Sequence, residues 1–257
     1  MLADVPPPSL NRSPVRRTSC PGGRDAPIGV LGGMGPLATL DFMHKLMAAT
    51  PAARDQEHLP LLVSSIPQVP DRTAAFLGEG ESPLPALVAS GRRLVDGGAA
   101  LVVMPCNTAH LWFDPLRAAL GVPMLHIVDV ALAEARRQAG RGVPVGLLAT
   151  EATLASGLYT ARAAEVDWRL PAPAEREGWI TPGIAAVKAG DLARGRALLG
   201  EAAKALAARG AQALVLGCTE IPLVVDAGTA PVPVIDATAA LARATVAWAR
   251  GREARAA

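Results

Sequence analysis

The sequence predicts an α/β protein made of two pseudo-symmetric Rossmann-like domains with parallel sheets and an active site in the cleft between them. Three landmarks carry this prediction, because each occurs twice and in the same order. They are an opening strand (27–33 and 144–150), a strand that leads to a cysteine (99–106 and 210–218) and a Val-Pro strand (122–126 and 232–236). The members of each pair lie roughly 110 residues apart, which indicates two copies of one βα unit. Strands that alternate with helices form parallel sheets, and ligands bind beyond the carboxyl ends of such strands.

The predicted elements follow the apolar periodicity of the chain. Helical spacing predicts helices at 36–47, 84–96, 107–120, 131–138, 153–164, 192–209 and 237–250, with Asn107 as the cap of the third. Strands are predicted at 27–33, 59–66, 99–104, 122–127, 144–150, 166–170, 213–216 and 232–236. Residues 68–77 read as a polar loop.

The repeat also sets the predicted domain boundaries. Residues 1–26 carry prolines and arginines without apolar periodicity, so we expect a disordered tail with no secretory signal. The first α/β domain combines residues 27–126 with 233–257, and the second covers residues 127–232. No apolar run approaches the roughly 20 residues that span a bilayer.

Composition excludes several classes of function. Apolar residues make up 51% of the chain but aromatic residues only 3%, so the core must consist of small aliphatic side chains, which suits buried parallel strands. The net charge of +2, without a basic stripe, argues against nucleic acid as a partner. Three cysteines do not make a disulfide framework, so we expect a cytoplasmic protein with no membrane partner.

Two cysteines occupy equivalent positions in the two copies. Cys106 and Cys218 each follow a predicted parallel strand and precede a helix, where the helix dipole favours a thiolate. If the halves face each other, a thiolate can remove a proton from one face of a carbon while a thiol returns one to the other face. The polar residues Asn107, Thr108 and Thr219 would stabilise the developing charge. For either cysteine alone, an inert buried thiol is the alternative.

Two basic side chains are candidates for binding a dicarboxylate. Lysine is scarce in this chain, and Lys188 lies beside Gly190 in a stretch that reads as a turn. Arg72 follows Asp71 in the predicted loop. The alternatives are an ordinary solvated surface position for Lys188 and a surface ion pair with Asp71 for Arg72.

Seven short motifs together resemble the aspartate/glutamate racemase family, and most closely its cofactor-independent aspartate racemases. They are IGVLGGMGPLAT (28–39), QVPDRTA (68–74), MPCNTAH (104–110), GLLAT (146–150), SGLY (156–159), VKAGD (187–191) and GCTE (217–220). The resemblance implies two similar α/β domains, a homodimer, a small amino-acid substrate and no cofactor and no metal. It predicts a racemase acting on aspartate, with glutamate as a second substrate.

The resemblance also assigns residues by position. Cys106 and Cys218 match the two acid/base cysteines, and Arg72 and Lys188 match basic residues that surround the substrate carboxylates. The remaining matched positions line the substrate pocket of the family. They are Met34, Gln68, Asn107, Thr108 and Thr219.

Two cofactor-dependent functions are disfavoured by the residues. The glycine turn at 33–38 fits a dinucleotide fingerprint, but residues 64–65, at the end of the second strand, are serines where an acid is required. Pyridoxal phosphate would need a Schiff-base lysine, and Lys188, the candidate, has no phosphate-binding loop beside it.

Zinc binding by the cysteines is not supported by the sequence, whereas two other functions stay open. Cys106, His110 and Cys218 lack the close spacing of a zinc site. A hydrolase or decarboxylase could use Cys106 with His110 or His126, which leaves Cys218 unexplained. A non-catalytic dicarboxylate-binding protein would need the basic residues but neither cysteine.

Overall fold

The computed structural model describes residues 26–140 and 142–256, so the disorder predicted for the first 25 residues lies outside the described part. The strands are β1 (Ile28–Gly32), β2 (Leu61–Ser65), β3 (Leu101–Val103), β4 (Val145–Ala149), β5 (Trp168–Arg169), β6 (Ala213–Gly217) and β7 (Val234–Asp236). The helices are α1 (Pro36–Ala49), α2 (Arg72–Leu77), α3 (Leu84–Asp96), α4 (Phe113–Leu120), α5 (Ile127–Ala139), α6 (Glu151–Ala155), α7 (Pro173–Glu175), α8 (Thr181–Lys188), α9 (Leu192–Ala208) and α10 (Ala237–Ala256).

The strands form two parallel sheets of matching order. The first sheet has the order β2-β1-β3, and the second has the order β5-β4-β6-β7. Val102 of β3 also forms an isolated parallel bridge to Met124. This bridge occupies the place in the first sheet that β7, paired with β6, occupies in the second. The predicted pair of βα units with parallel sheets is therefore confirmed, with β1 and β4 as the equivalent inner strands.

A shared core joins the two sheets. Alternate residues of each inner strand point to opposite faces, as the pleat requires. Ile28 and Val30 of β1 pack into the same cluster as Val145 and Leu147 of β4, together with residues of α1, α5 and α10. The outer faces are covered separately, the first sheet by α3 and α4 and the second by α8 and α9. Residues that follow β1, β3, β4 and β6 line one cavity between the two sheets.

Three predicted elements differ from the structure in the first half. The strand predicted at 122–127 is reduced to the bridge at Met124, because α5 already begins at Ile127. The predicted loop at 68–77 contains α2, since the Asp71 carboxylate accepts hydrogen bonds from two N–H groups of its first turn. Asn107 does not cap a helix through its side chain; a 3₁₀ turn, Thr108–Trp112, precedes α4.

The second half differs at two places. The helix predicted at 153–164 ends at Ala155, because Gly157 adopts a φ of 69° and starts a series of turns. Residues 173–188, for which no element was predicted, are helical. There α7 passes through a π-helical segment, Arg176–Ile180, into α8, so Lys188 ends a helix instead of lying in a turn.

The domain boundaries stay a prediction. Residues 233–257 were assigned to the first domain, but β7 pairs with β6 in the second sheet. The helix that follows, α10, packs with α1 and α5 in the shared core. Within the described residues, no helix is both long enough and apolar enough to cross a membrane.

Candidate active site

Both predicted cysteines stand beyond the carboxyl end of a parallel strand. Cys106 follows β3 after two residues, and Cys218 follows β6 directly. Both are free thiols, and each residue is only 5% exposed. They line one cavity at the junction of the two halves. The sequence-based expectation that the two thiols share a cleft agrees with this placement.

The cavity receives side chains from both halves of the chain. Its lining consists of Met34, Asp71, Arg72, Thr73, Cys106, Asn107, Thr108, Thr150, Lys188, Cys218, Thr219 and Glu220. Its volume of about 20 Å³ accommodates roughly one water molecule. A second cavity of about 230 Å³ shares the lining residues Asp71, Thr73, Thr150 and Lys188, so it adjoins the thiol cavity.

Every site residue predicted from the sequence lines this cavity except Gln68. Gln68 is exposed in the segment before α2, whereas its neighbour Val69 is buried in the core of the first half. Four lining residues were not predicted: Asp71, Thr73, Thr150 and Glu220. Asp71 had been considered only as a surface partner of Arg72. Glu220 stands in the GCTE motif, two residues after Cys218, but no role followed from the motif alone.

Glu220 contacts both the second thiol and the first half of the chain. The Cys218 thiol donates to Glu220 Oε2 at 3.1 Å, and the Thr219 hydroxyl lies 3.4 Å from the same oxygen. The other oxygen, Oε1, accepts a hydrogen bond from the Gly35 N–H at 3.0 Å. Glu220 is only 3% exposed. One buried carboxylate therefore joins Cys218 to the start of α1.

The glycine turn between β1 and α1 is shaped by its neighbours. Gly33 has a φ of 92°, and a Cβ atom there would lie 2.4 Å from the backbone nitrogen of Ile66. Only glycine fits this approach without strain. The N–H of Gly35, in the same turn, donates to Glu220 Oε1.

The carbonyl of Cys106 is held by a histidine of defined tautomer. The Ile127 N–H donates to His110 Nε2 at 3.1 Å, so Nδ1 carries the proton that is donated to the Cys106 carbonyl at 2.8 Å. Burial lowers the pKa of His110 to about 3, so the ring is neutral. Both ring nitrogens are occupied by backbone groups. His110 is therefore free neither to deprotonate Cys106 nor to bind zinc.

The environments of the two thiols differ in their charged neighbours. Burial raises the pKa of Cys106, and the charge of Arg72 opposes this effect most strongly. Burial also raises the pKa of Cys218 well above its ordinary value; the Glu220 carboxylate adds to the rise and Lys188 opposes it. Arg72 donates from Nη1 to the carbonyls of Val69 and Pro70, which orients its guanidinium. The alternative of a surface ion pair between Arg72 and Asp71 is not seen among the described residues, where the Asp71 carboxylate caps α2 instead.

Asn107 presents an unused donor in the cavity. Its Oδ1 accepts a hydrogen bond from the Tyr159 hydroxyl at 2.6 Å. Burial raises the pKa of Tyr159, so the phenol keeps its proton. The Asn107 Nδ2 is buried and has no hydrogen-bond partner among the described residues. A buried donor of this kind is costly unless a ligand completes it.

Three threonine hydroxyls connect the halves on another side of the cavity. Thr108 Oγ1 lies 2.8 Å from Thr150 Oγ1 and 3.1 Å from Thr153 Oγ1. Thr150 and Thr153 are themselves 3.0 Å apart. Among the described residues, no group of His, Cys, Asp or Glu side chains is arranged to hold a metal ion.

Comparison with known proteins identifies the family. The sequence profile of the Asp/Glu/hydantoin racemase family matches residues 31–245. The chain belongs to the Asp/Glu/hydantoin racemase family. It is 28% identical over 233 residues to the broad-specificity amino-acid racemase RacX of Bacillus subtilis, a match that covers 85% of this chain and 96% of the relative.

Solved structures agree with the family match. Picrophilus torridus aspartate racemase superposes with a TM-score of 0.78 at 32% sequence identity, covering 87% of this chain and 94% of its own. Glutamate racemase from Thermus thermophilus, in complex with β-chloro-D-alanine, gives a TM-score of 0.60 at 26% identity, covering 91% and 83%. The predicted family, the α/β fold and the classification as an amino-acid racemase are thereby confirmed.

Proposed function

We propose that this protein interconverts L- and D-aspartate, and glutamate as a second substrate, by proton transfer between Cys106 and Cys218 without a cofactor. The observation that carries the proposal is the presence of both thiols, one from each half, in the lining of one cavity. Racemisation needs a base and an acid on opposite faces of the α-carbon. The similarity to an aspartate racemase supports the choice of aspartate.

The proposed roles of the other residues follow from their charge and position. Arg72 and Lys188 bind the two carboxylates of the substrate, because they are cationic side chains in the lining of the thiol cavity. The free Nδ2 of Asn107 donates to a substrate oxygen. Thr108, Thr219 and Met34 contact the substrate as lining residues, and Gln68 stays a predicted contact.

The reaction proceeds in two coupled proton transfers. The thiolate of one cysteine removes the α-proton, and the thiol of the other delivers a proton to the opposite face. Charge that develops on the α-carboxylate is stabilised by the cations and by the Asn107 donor. Because the cavity of about 20 Å³ is smaller than an amino acid, substrate binding must widen it, and the second cavity of about 230 Å³ adjoins it through four shared lining residues.

The test is incubation with each enantiomer of aspartate and glutamate in heavy water, with the α-proton followed by NMR. We expect exchange and racemisation with aspartate, and loss of racemisation in both Cys106→Ser and Cys218→Ser. Absence of exchange with all four compounds would overturn the assignment to acidic amino acids. Neutral and basic amino acids belong in the same panel, because one relative is a broad-specificity racemase.

The two open alternatives give different outcomes in this experiment. A hydrolase or decarboxylase would change the mass of its substrate, whereas racemisation leaves it unchanged. A binding protein would tolerate both serine substitutions without any loss of ligand affinity and would show no exchange in any variant. The same NMR sample, followed by mass spectrometry, therefore separates the three functions.

We also propose that the protein is a homodimer. The helix α1 exposes Leu37, Leu40 and Met47 on one stripe, with exposed fractions of 41%, 61% and 48%. Val63 on the outer strand β2 is 41% exposed as well. Exposed apolar stripes of this kind are typical of interfaces between subunits. Light scattering should give a molecular mass twice that of one chain, and Leu40→Glu should reduce it to the mass of one chain. A native protein with the mass of a single chain would contradict the proposal.

A further inference from the structure

The buried carboxylate of Glu220 is the charged group in contact with one of the two thiols. Its Oε2 lies 3.1 Å from the Cys218 sulfur, and its Oε1 is fixed by the N–H of Gly35. Gly35 is the residue that precedes α1, and the positive end of this 14-residue helix favours an ionised carboxylate. Glu220 is therefore held in place, and its charge is stabilised, from the opposite half of the chain.

We propose that Glu220 keeps the proton on Cys218, so that in the substrate-free protein Cys218 is the acid and Cys106 is the base. Glu220 is in this view a positioning residue, since it acts on the substrate through Cys218. The inference deepens the proposed racemase function, in which the two thiols must hold opposite protonation states.

The charged groups that face each thiol decide which of the two keeps its proton. Cys218 faces Glu220 in direct contact, with Lys188 and the phenol of Tyr159 nearby. A thiolate at Cys218 would place two negative charges about 3 Å apart, which strongly disfavours its formation. The Cys218 thiol, by contrast, donates its proton to Glu220 in a charge-assisted hydrogen bond.

Cys106 has the opposite balance. The strongest charge acting on it is that of Arg72, which favours a thiolate, and Lys188 acts in the same direction. Glu220 also acts on Cys106, but through space and without a hydrogen bond. Burial raises the pKa of both thiols, but Cys106 loses its proton more readily than Cys218, so when the pair carries one negative charge the thiolate is on Cys106.

This arrangement sets the order of proton movements. The Cys106 thiolate takes the α-proton of the substrate and becomes a thiol, while Cys218 gives its proton to the opposite face and becomes a thiolate. The product complex then has the thiolate beside Glu220. Cys218 must regain a proton and Cys106 must lose one before a second substrate molecule of the same enantiomer can react.

The test is a thiolate titration of single-cysteine proteins. Cys20→Ser removes the remaining cysteine of the sequence. On that background, Cys106→Ser leaves Cys218 alone and Cys218→Ser leaves Cys106 alone. The ultraviolet absorbance of the thiolate is followed with pH, and a protein without any cysteine supplies the blank for the tyrosine. We expect Cys106 to ionise at lower pH than Cys218.

Substitution of the carboxylate decides the role of Glu220. Glu220→Gln keeps the shape and an acceptor for Gly35 but removes the charge. We expect it to lower the titration midpoint of Cys218 by about one to three pH units, and that of Cys106 by less than half as much. An unchanged Cys218 midpoint, or equal shifts at both cysteines, would overturn the proposal, since a purely structural residue would not move one thiol selectively.

A second variant covers the case in which Glu220→Gln does not fold. Glu220→Asp keeps the charge but withdraws it from Cys218 by one methylene, so the Cys218 midpoint should fall by a smaller amount. A midpoint that stays the same or rises would count against the proposal. The titration needs no turnover, so its failure is distinct from failure of the racemase assay.

Discussion

The buried pair His110 and His126 should make the fold sensitive to mild acid. The two rings pack edge to face with centroids 4.6 Å apart, and they are 3% and 7% exposed. Burial lowers the pKa of each from 6.5 to about 3. Neither ring nitrogen of His126 has a hydrogen-bond partner in the described part of the chain, and Asp129 Oδ1 lies 3.9 Å away.

The direction in which the free energy of unfolding changes with pH follows from the number of protons that the folded and unfolded states bind. Between pH 6.5 and pH 3 the unfolded chain protonates both histidines while the folded chain protonates neither, so the free energy of unfolding falls as the pH falls. At pH 5 each histidine lowers it by about 2 kcal/mol relative to neutral pH, or about 4 kcal/mol for the pair. The carboxylates with lowered pKa values, such as Asp226 and Glu134, add to this loss only as the pH falls through their ordinary values of 3.8 and 4.5.

Urea denaturation at pH 7 and pH 5 measures this effect, and His126→Phe is the informative variant. Because His126 has unpaired ring nitrogens, phenylalanine removes one titrating group without orphaning a partner. We expect the variant to be at least as stable as the native protein at pH 7. We also expect it to lose about 2 kcal/mol less between pH 7 and pH 5. The same pH dependence in both proteins would refute the reasoning.

Two further predictions concern residues that shape the site. Tyr159→Phe removes the hydroxyl that donates to Asn107 Oδ1. We expect urea denaturation to show a free energy of unfolding lower by about 1–3 kcal/mol, and kinetics to show a raised KM for the substrate. Unchanged stability and an unchanged KM would contradict the role assigned to this bond. Gly33→Ala should cost more than about 2 kcal/mol in the same denaturation assay, because its φ is 92° and its Cβ would meet Ile66. Gly98→Ala is its matched control, with the same φ of 92° but no atom within 4 Å of the added Cβ, and equal losses in the two variants would contradict the steric argument.

The two parallel sheets could be predicted from the sequence because the repeat is strong in the strands. The opening and cysteine strands are buried along their length, and a parallel sheet leaves few other places for such runs. The helices α7 and α8 were not predicted, since the N-cap side chain of neither helix accepts a hydrogen bond from its first turn. The helix α2 was not predicted, although Asp71 is a recognisable cap whose carboxylate accepts hydrogen bonds from the N–H groups of Thr73 and Ala74.

The site was predictable to the extent that its residues lie within the recurring motifs. Cys106, Arg72 and Lys188 reach the cavity as expected. Contacts between distant segments were not predictable, because nothing in the local pattern says that Gly35 will meet Glu220 or that Tyr159 will meet Asn107. Each of these bonds depends on how the halves dock, which side-chain periodicity does not encode.

The two copies of the repeat have diverged at the residues that follow the cysteine. After Cys106, the third residue of the motif is Thr108, whose hydroxyl bonds across to Thr150. After Cys218, the residue in the same place is Glu220, which bonds across to Gly35 and back to the thiol. Duplication alone would give two thiols in equivalent surroundings, with no preference for which one holds the proton. The exchange of a hydroxyl for a carboxylate at one equivalent position breaks that equivalence, and we infer that it supplies the acid and the base a racemase needs before its substrate arrives.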